Sequence, residues 1–157
     1  MRFLKTIIFL YLCFTVGCDW RGSIFSKTQP RQLTTKPVFS GIINVPLSIS
    51  QKSLLLENDL YSSSGELFKY YLRTEKDILE LRQKDIITIK SINTHIIYAS
   101  AIVVRVKGVI ALYESGETIP FTYSWGHEYP DKSLELKRAP WETSNVPLKR
   151  KISVPKN

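Results

Sequence analysis

Cysteine occurs only twice in the 157 residues, as Cys13 and Cys18, and histidine only twice, as His95 and His127. The chain has no CxxC, no HExxH, no GxSxG and no glycine-rich phosphate loop, so the familiar zinc, serine-hydrolase and nucleotide chemistries lack their residues. Cys13 lies inside the apolar run at the start, so at most one cysteine, Cys18, is left for the body, short of the even-numbered disulfide framework of a small secreted scaffold. Long apolar runs are missing too. The longest, "TIIFLYLCFTVG" over residues 6–17, falls short of the roughly 20 apolar residues needed to cross a bilayer as a helix.

What this run does have is context. Arg2 and Lys5 precede it, a small residue ends it, and Asp19 and Arg21 close it abruptly. A positive start, a short apolar core and a small residue at the boundary describe a secretory signal peptide over residues 1–17; a buried N-terminal core helix is the alternative. The junction "TVGC" resembles the lipobox of bacterial lipoproteins, in which a small residue, here Gly17, precedes the cysteine, here Cys18. The resemblance covers residues 1–18 only, and Thr15 departs from it, standing where that family most often has leucine. It implies cleavage between Gly17 and Cys18, a diacylglycerol on the Cys18 sulfur and acylation of the new amino terminus. Two or three acyl chains suffice for stable anchoring, since each buried methylene contributes about 0.8 kcal/mol. Thr15 and Gly17 also suit ordinary signal peptidase, which would leave Cys18 as a free thiol. Removal of the leader takes Cys13 with it, so lipid would occupy the one remaining cysteine. In lipoproteins of the enteric type, an aspartate after the cysteine resembles the inner-membrane retention signal. Asp19 therefore points to the periplasmic face of the inner membrane.

Without Arg2 and Lys5 the chain carries 20 basic and 14 acidic residues, a net of +6. Residues 18–36 contribute +3 and residues 137–157 contribute +5, while residues 37–136 are close to neutral at −2. A nucleic-acid-binding domain normally carries its basic stripe on the folded face, so nucleic acid is not an expected partner. Basic ends suit anionic headgroups, at about 1 kcal/mol per Lys or Arg near the surface, or simply keep the protein soluble. Residues 18–37 are polar and interrupted by proline, and read as a lipidated tether with a root-mean-square reach of about 25 Å. Residues 38–138 can form one compact domain, and residues 139–157, with Pro147 and Pro155, read as a basic C-terminal tail.

The body patterns as β structure. In "VRVKGVIALYESGETIPFTYSW", residues 104–125, Val104, Val106, Ile110 and Leu112 fall on one face, and Ile119, Phe121, Tyr123 and Trp125 alternate with polar residues. A two-residue turn at Ser115-Gly116 would pair Leu112 with Ile119, Ile110 with Phe121, Gly108 with Tyr123 and Val106 with Trp125. Pro120 would then place the second strand at an edge or bulge. "DIITIKSI" and "HIIYASAIVV" suggest two strands meeting near Asn93-Thr94, with a bend or bulge between residues 98 and 108. Gly41 to Ile49 suggests an opening strand, and residues 66–84 fit either strands or a helix with Ile78 and Leu81 inward. The expected fold is mainly β, a small antiparallel sandwich or partly open barrel with room for one short helix.

Chemistry-bearing residues are few. His95 lies in an apolar β run and fits a structural role. Trp125, His127, Tyr129 and Asp131 in "SWGHEYPD" would cluster just past the best hairpin, with Glu128 adding a carboxylate. Such a group could stack on a sugar or anchor a protein partner. Equally, the segment could be a loop closing over the core with Trp125 inside. Metal ligands are not visibly supplied, and no cofactor is expected. Glu75 and Asp77 look like turn and surface residues, although glycosidase carboxylates keep no fixed spacing. The expectation is a non-enzymatic envelope lipoprotein with a binding or assembly role and an envelope protein partner, for example as an accessory of a secretion or conjugation apparatus. An immunity or exclusion lipoprotein, a glycan binder or cell-wall enzyme, and a plain secreted domain are the alternatives.

Overall fold

A computed structural model describes residues 30–62, 78–97 and 101–154. The leader, Cys18, most of the tether and residues 66–77 of the ambiguous stretch lie outside the described residues. Among the described residues the fold is mainly β with one short helix, α1 (Pro37–Ser40), and its strands join one open, mixed sheet.

Three long strands form the frame: β5 (Ile86–Ile97), β6 (Ala101–Ala111) and β7 (Thr118–Glu128), each antiparallel to the next. On β5 the buried residues are Ile87 and Ile89, then Ile92 and Thr94. The change from odd to even numbers has a cause: Lys90 bulges out between Ile89 and Ser91, so the same face stays inward. The partner case lies on β7, where Trp125 is the extra residue between Ser124, opposite Arg105, and Gly126, opposite Val104. Phe121, Tyr123 and Trp125 face the core before this bulge, and Gly126 and Glu128 after it.

The shorter strands extend this frame. β1 (Pro46–Ser48) pairs with β5, and β2 (Ser53–Leu56) pairs with both β3 (Asp59–Ser62) and β4 (Ile78–Leu81). β3 meets β7 in parallel at Asp59 and Thr122, which makes the sheet mixed. β8 (Leu134–Lys137) pairs with the last residues of β7, and β9 (Lys149–Ile152) pairs with β8.

The β6–β7 hairpin keeps the expected face but not the expected partners. Ile110 lies opposite Ile119, Gly108 opposite Phe121 and Val106 opposite Tyr123, two residues from the register that a Ser115-Gly116 turn would set. The connection is a four-residue loop over residues 113–116: the Leu112 N–H donates to the Glu117 carbonyl (2.9 Å) and the Gly116 N–H to the Leu112 carbonyl (2.9 Å). Gly116 takes the left-handed position (φ 69°), which glycine adopts without a Cβ clash. An even shift leaves every side chain on its face, so alternation alone cannot detect it. The buried Asp85 carboxylate fixes the loop from outside the hairpin, accepting the Tyr113 N–H (2.9 Å) and the Arg82 N–H (2.7 Å). Pro120 does not place β7 at an edge: β7 has β6 on one side and, on the other, β3 at Thr122 and β8 at residues 126–128, and its bulge falls at Trp125, five residues further on.

Other boundaries move as well. Asn93-Thr94 is not a turn: β5 continues through it, because the segment just before α1 supplies partners. Gln32 bridges Asn93, the Thr94 N–H donates to the Arg31 carbonyl (2.9 Å), and the Arg31 N–H donates to Thr94 Oγ1 (2.7 Å). Leu33 is fully buried, so the domain begins inside the expected tether. The opening strand shrinks to β1, preceded by Asn44 at φ 57°. Ile78–Leu81 is strand, not helix. Residues 139–154 are not a free tail: Trp141 and Val154 are buried, and β9 closes on β8. The Glu142 carboxylate locks this segment, accepting the Ala139 N–H (2.7 Å) and pairing with Arg150.

The core centres on aromatic rings. Trp125 packs at 5.6 Å from Phe39 of α1 and edge-on at 5.5 Å from Trp141, which also meets Tyr123 at 5.4 Å and Phe121 at 6.4 Å. Burial pushes the Tyr123 phenol up to about 12.

Candidate functional site

The bulge on β7 decides what the segment after Tyr123 can do. Strict alternation would carry Trp125 and His127 to one face, but the extra residue turns His127 outward and Glu128 inward. The sequence-predicted cluster therefore divides. Trp125 is 2 % exposed, its indole N–H donates to the Lys137 carbonyl (2.8 Å), and the Arg150 guanidinium lies 5.6 Å from its ring centre. It is a core residue, which matches a segment that closes over the core. His127, Tyr129 and Asp131 remain outside, on the last residues of β7 and the turn into β8.

That turn is held by its own polar groups. The Tyr129 N–H donates to the Ser133 carbonyl (2.9 Å), and Lys132 takes φ 66°. Asp131 accepts the Ser133 N–H (3.0 Å) and the Ser133 hydroxyl (2.5 Å), a local turn closed by an aspartate two residues upstream. Lys151 on β9 reaches Asp131 (3.2 Å) and lies 5.0 Å from the centre of the Tyr129 ring. The Tyr129 hydroxyl donates to Glu135 Oε2 (2.8 Å), a bond that requires the protonated phenol and so raises its pKa. His127 pairs across the ladders with Val103 and Glu135.

Asp131 carries the clearest titration signature. The Ser133 hydroxyl first, then the Ser133 N–H and Lys151, hold its carboxyl down from 3.8 to about 2. Its folded pKa is depressed, so its stabilisation is present above the unfolded value and is lost as pH falls through about 2. Ser133→Ala removes the largest cause, and the Asp131 midpoint in a carboxyl-carbon NMR titration is expected to rise toward the ordinary value. An unmoved midpoint would assign the depression to another group.

Glu128 is visible in the sequence as an added carboxylate, but its burial leaves no mark there. Its side chain is 1 % exposed and lies between Arg31 (Nε at 3.1 Å, Nη2 at 3.0 Å) and Lys132 (Nζ at 3.1 Å). Two cations face one carboxylate, and Arg31 arrives from 97 residues away in sequence. No local pattern announces that contact. It joins the start of the described chain to the end of β7 and is structural in form.

His95, on β5 opposite Val103, is held below its ordinary pKa by partial burial and by the positive charges of Arg105 and Lys107. Among the described residues no group of three or more His, Cys, Asp and Glu side chains could hold a metal ion. The exposed part of the cluster offers a ring, an imidazole and one carboxylate at the turn into β8, an arrangement suited to surface contact. Set against known protein families, curated proteins and solved structures, the chain matches none of them.

Proposed function

We propose that the protein is an exported lipoprotein, held to the bacterial envelope by a diacylglyceryl group on Cys18, and that its β domain serves there as a non-enzymatic binding or assembly module. The periplasmic face of the inner membrane, suggested by Asp19, is its place, and an envelope protein, as in a secretion or conjugation apparatus, is its partner. One observation carries this reading: Gly17-Cys18 ends a short apolar run that begins after Arg2 and Lys5, and no other cysteine follows. No helix among the described residues is long and apolar enough to cross a membrane, so in this reading attachment is the work of the acyl chains. The body's polar clusters support binding over catalysis, since Asp131, Tyr129 and Glu128 are each engaged by neighbours within the fold. With Trp125 inside the core, a sugar-stacking role would fall to other rings.

The test is the intact mass of the mature protein from its native membrane fraction, beside Cys18→Ser. The expected protein begins at Cys18 and carries added acyl mass, while the variant lacks that mass and leaves the detergent-soluble membrane fraction. A wild-type Cys18 with no acyl mass would end the anchor reading and leave a plain exported domain with a free thiol.

A further inference from the structure

The described chain joins the sheet at one particular end. Gln32 bridges Asn93 in antiparallel sense and Arg31 pairs with Thr94, so Pro30 is directed toward the Ile96 and Ile97 end of β5. That same end carries an apolar row without full cover. After the bulge at Lys90, Ile92, Thr94 and Ile96 share the inward face; the first two are 0 % and 1 % exposed, but Ile96 is 42 % exposed. Across the ladder Ile96 faces the half-buried Ile102, and the apolar row ends there, since the next residue across is the buried, ion-paired Glu128. Tyr129, 38 % exposed, lies at this end too.

We propose that this end of the sheet rests on the lipid surface, with Ile96, Ile102 and Tyr129 at the headgroup boundary and the loop of residues 113–116 directed away from the membrane. The proposal rests on Cys18 carrying lipid. Pro30 lies twelve positions after Cys18. A flexible chain of that length has a root-mean-square reach of about 19 Å. Strand β6, with its 11 residues, spans about 36 Å from this end to the opposite one. The tether therefore keeps the Ile96 end near the bilayer, and reaching it with the 113–116 loop would demand nearly full extension. Isoleucine gains by leaving water, and a tyrosine ring suits the interface, where one end is apolar and the hydroxyl stays wet. Arg31, Lys132 and Lys151 at this end pair with only two carboxylates, Glu128 and Asp131, which leaves a net charge of one, so apolar contact supplies most of the attraction.

The experiment uses the mature full-length protein in phosphatidylethanolamine–phosphatidylglycerol vesicles. Ile96→Cys, Tyr129→Cys and Tyr113→Cys are each labelled with a thiol-reactive bimane, and the label count per chain is read by mass. The expected result is one label per chain. Bimane at positions 96 and 129 is quenched by nitroxide-bearing lipid and protected several-fold from aqueous iodide, whereas bimane at 113 is open to iodide. Equal iodide access at 96 and 113, with one label per chain, overturns the proposal while leaving the anchor intact. Protection from iodide without quenching by nitroxide lipid also overturns it, because a protein surface would then be the cover. Two labels per chain show Cys18 to be unmodified, and the anchor reading and this proposal fall together.

Discussion

Trp125→Ala is expected to destabilise the domain by about 3–5 kcal/mol, as large-to-small replacement of a buried aromatic does. The ring is 2 % exposed and sits where three parts of the fold converge: Phe39 from α1 at 5.6 Å, Trp141 from the segment after β8 at 5.5 Å, and Arg150 of β9 at 5.6 Å. Its N–H also satisfies the Lys137 carbonyl at the end of β8, so alanine leaves a cavity and an unpaired acceptor together. Domains of this size are stable by only about 5–15 kcal/mol, so the loss would consume a large share of the total. Trp125→Phe, which keeps most of the ring and loses the donor, should cost clearly less. Urea denaturation followed by far-ultraviolet circular dichroism measures both variants. A cost below about 1 kcal/mol for the alanine variant would place the ring outside the core. A functional corollary follows: loss of partner binding in Trp125→Ala would report unfolding, whereas Tyr129→Ala probes the exposed surface while sparing the core.

How legible this was in the sequence depends on which physical signal each feature leaves. The β-branched run of 86–92 and the period-two alternation of 104–125 identify β5, β6 and β7, because strand propensity and burial on one face each leave a direct mark on composition. The bulges at Lys90 and Trp125 leave none, since a charged residue and a large aromatic are both ordinary strand residues. Yet the second bulge settles the candidate site by reversing His127 and Glu128. The β2–β3 hairpin was hidden for another reason: "SLLLENDLYS" reads as an apolar run followed by polar residues, and its two-residue connection needs Glu57 at φ 54°, a residue that seldom marks such a turn. The basic composition of 137–157 suggested a tail, but composition counts the outward-facing Lys149 and Lys151 as fully as the inward Trp141. Asn93-Thr94 looks like a turn because both residues favour one. Here the chain at Arg31 and Gln32 satisfies them in a strand instead, a contact between distant segments that no local window contains.

The second large effect is expected from adding a single carbon at Gly126. A Cβ built there would stand 1.9 Å from the Glu135 carbonyl oxygen and 2.9 Å from the Leu136 Cα, where real contacts essentially never fall below 3.0 Å. At least 1.1 Å of movement is therefore required, and the obstructing atoms are backbone, which cannot rotate away as a side chain would. The bulge at Trp125 produces this close approach by turning Gly126 toward β8. The ladder from β7 to β8 has three pairs, Gly126 with Leu136, His127 with Glu135 and Glu128 with Leu134, and among the described residues β9 is attached to the sheet through β8 alone. Gly126→Ala should cost about 3 kcal/mol, at the upper end for overpacking, and amide protection should fall first in β8 and β9. The matched control is Gly41→Ala, where nothing lies within 4 Å of the new carbon and φ is −71°. That variant should be neutral or stabilised by up to about 1 kcal/mol through the unfolded chain. Hydrogen exchange and urea denaturation on the pair separate steric blockage from a general loss of glycine. Equal stability of the two variants would mean that β8 does not approach β7 as closely as the fold requires, and the cluster of Tyr129, Asp131 and Lys151 would lose its support with it.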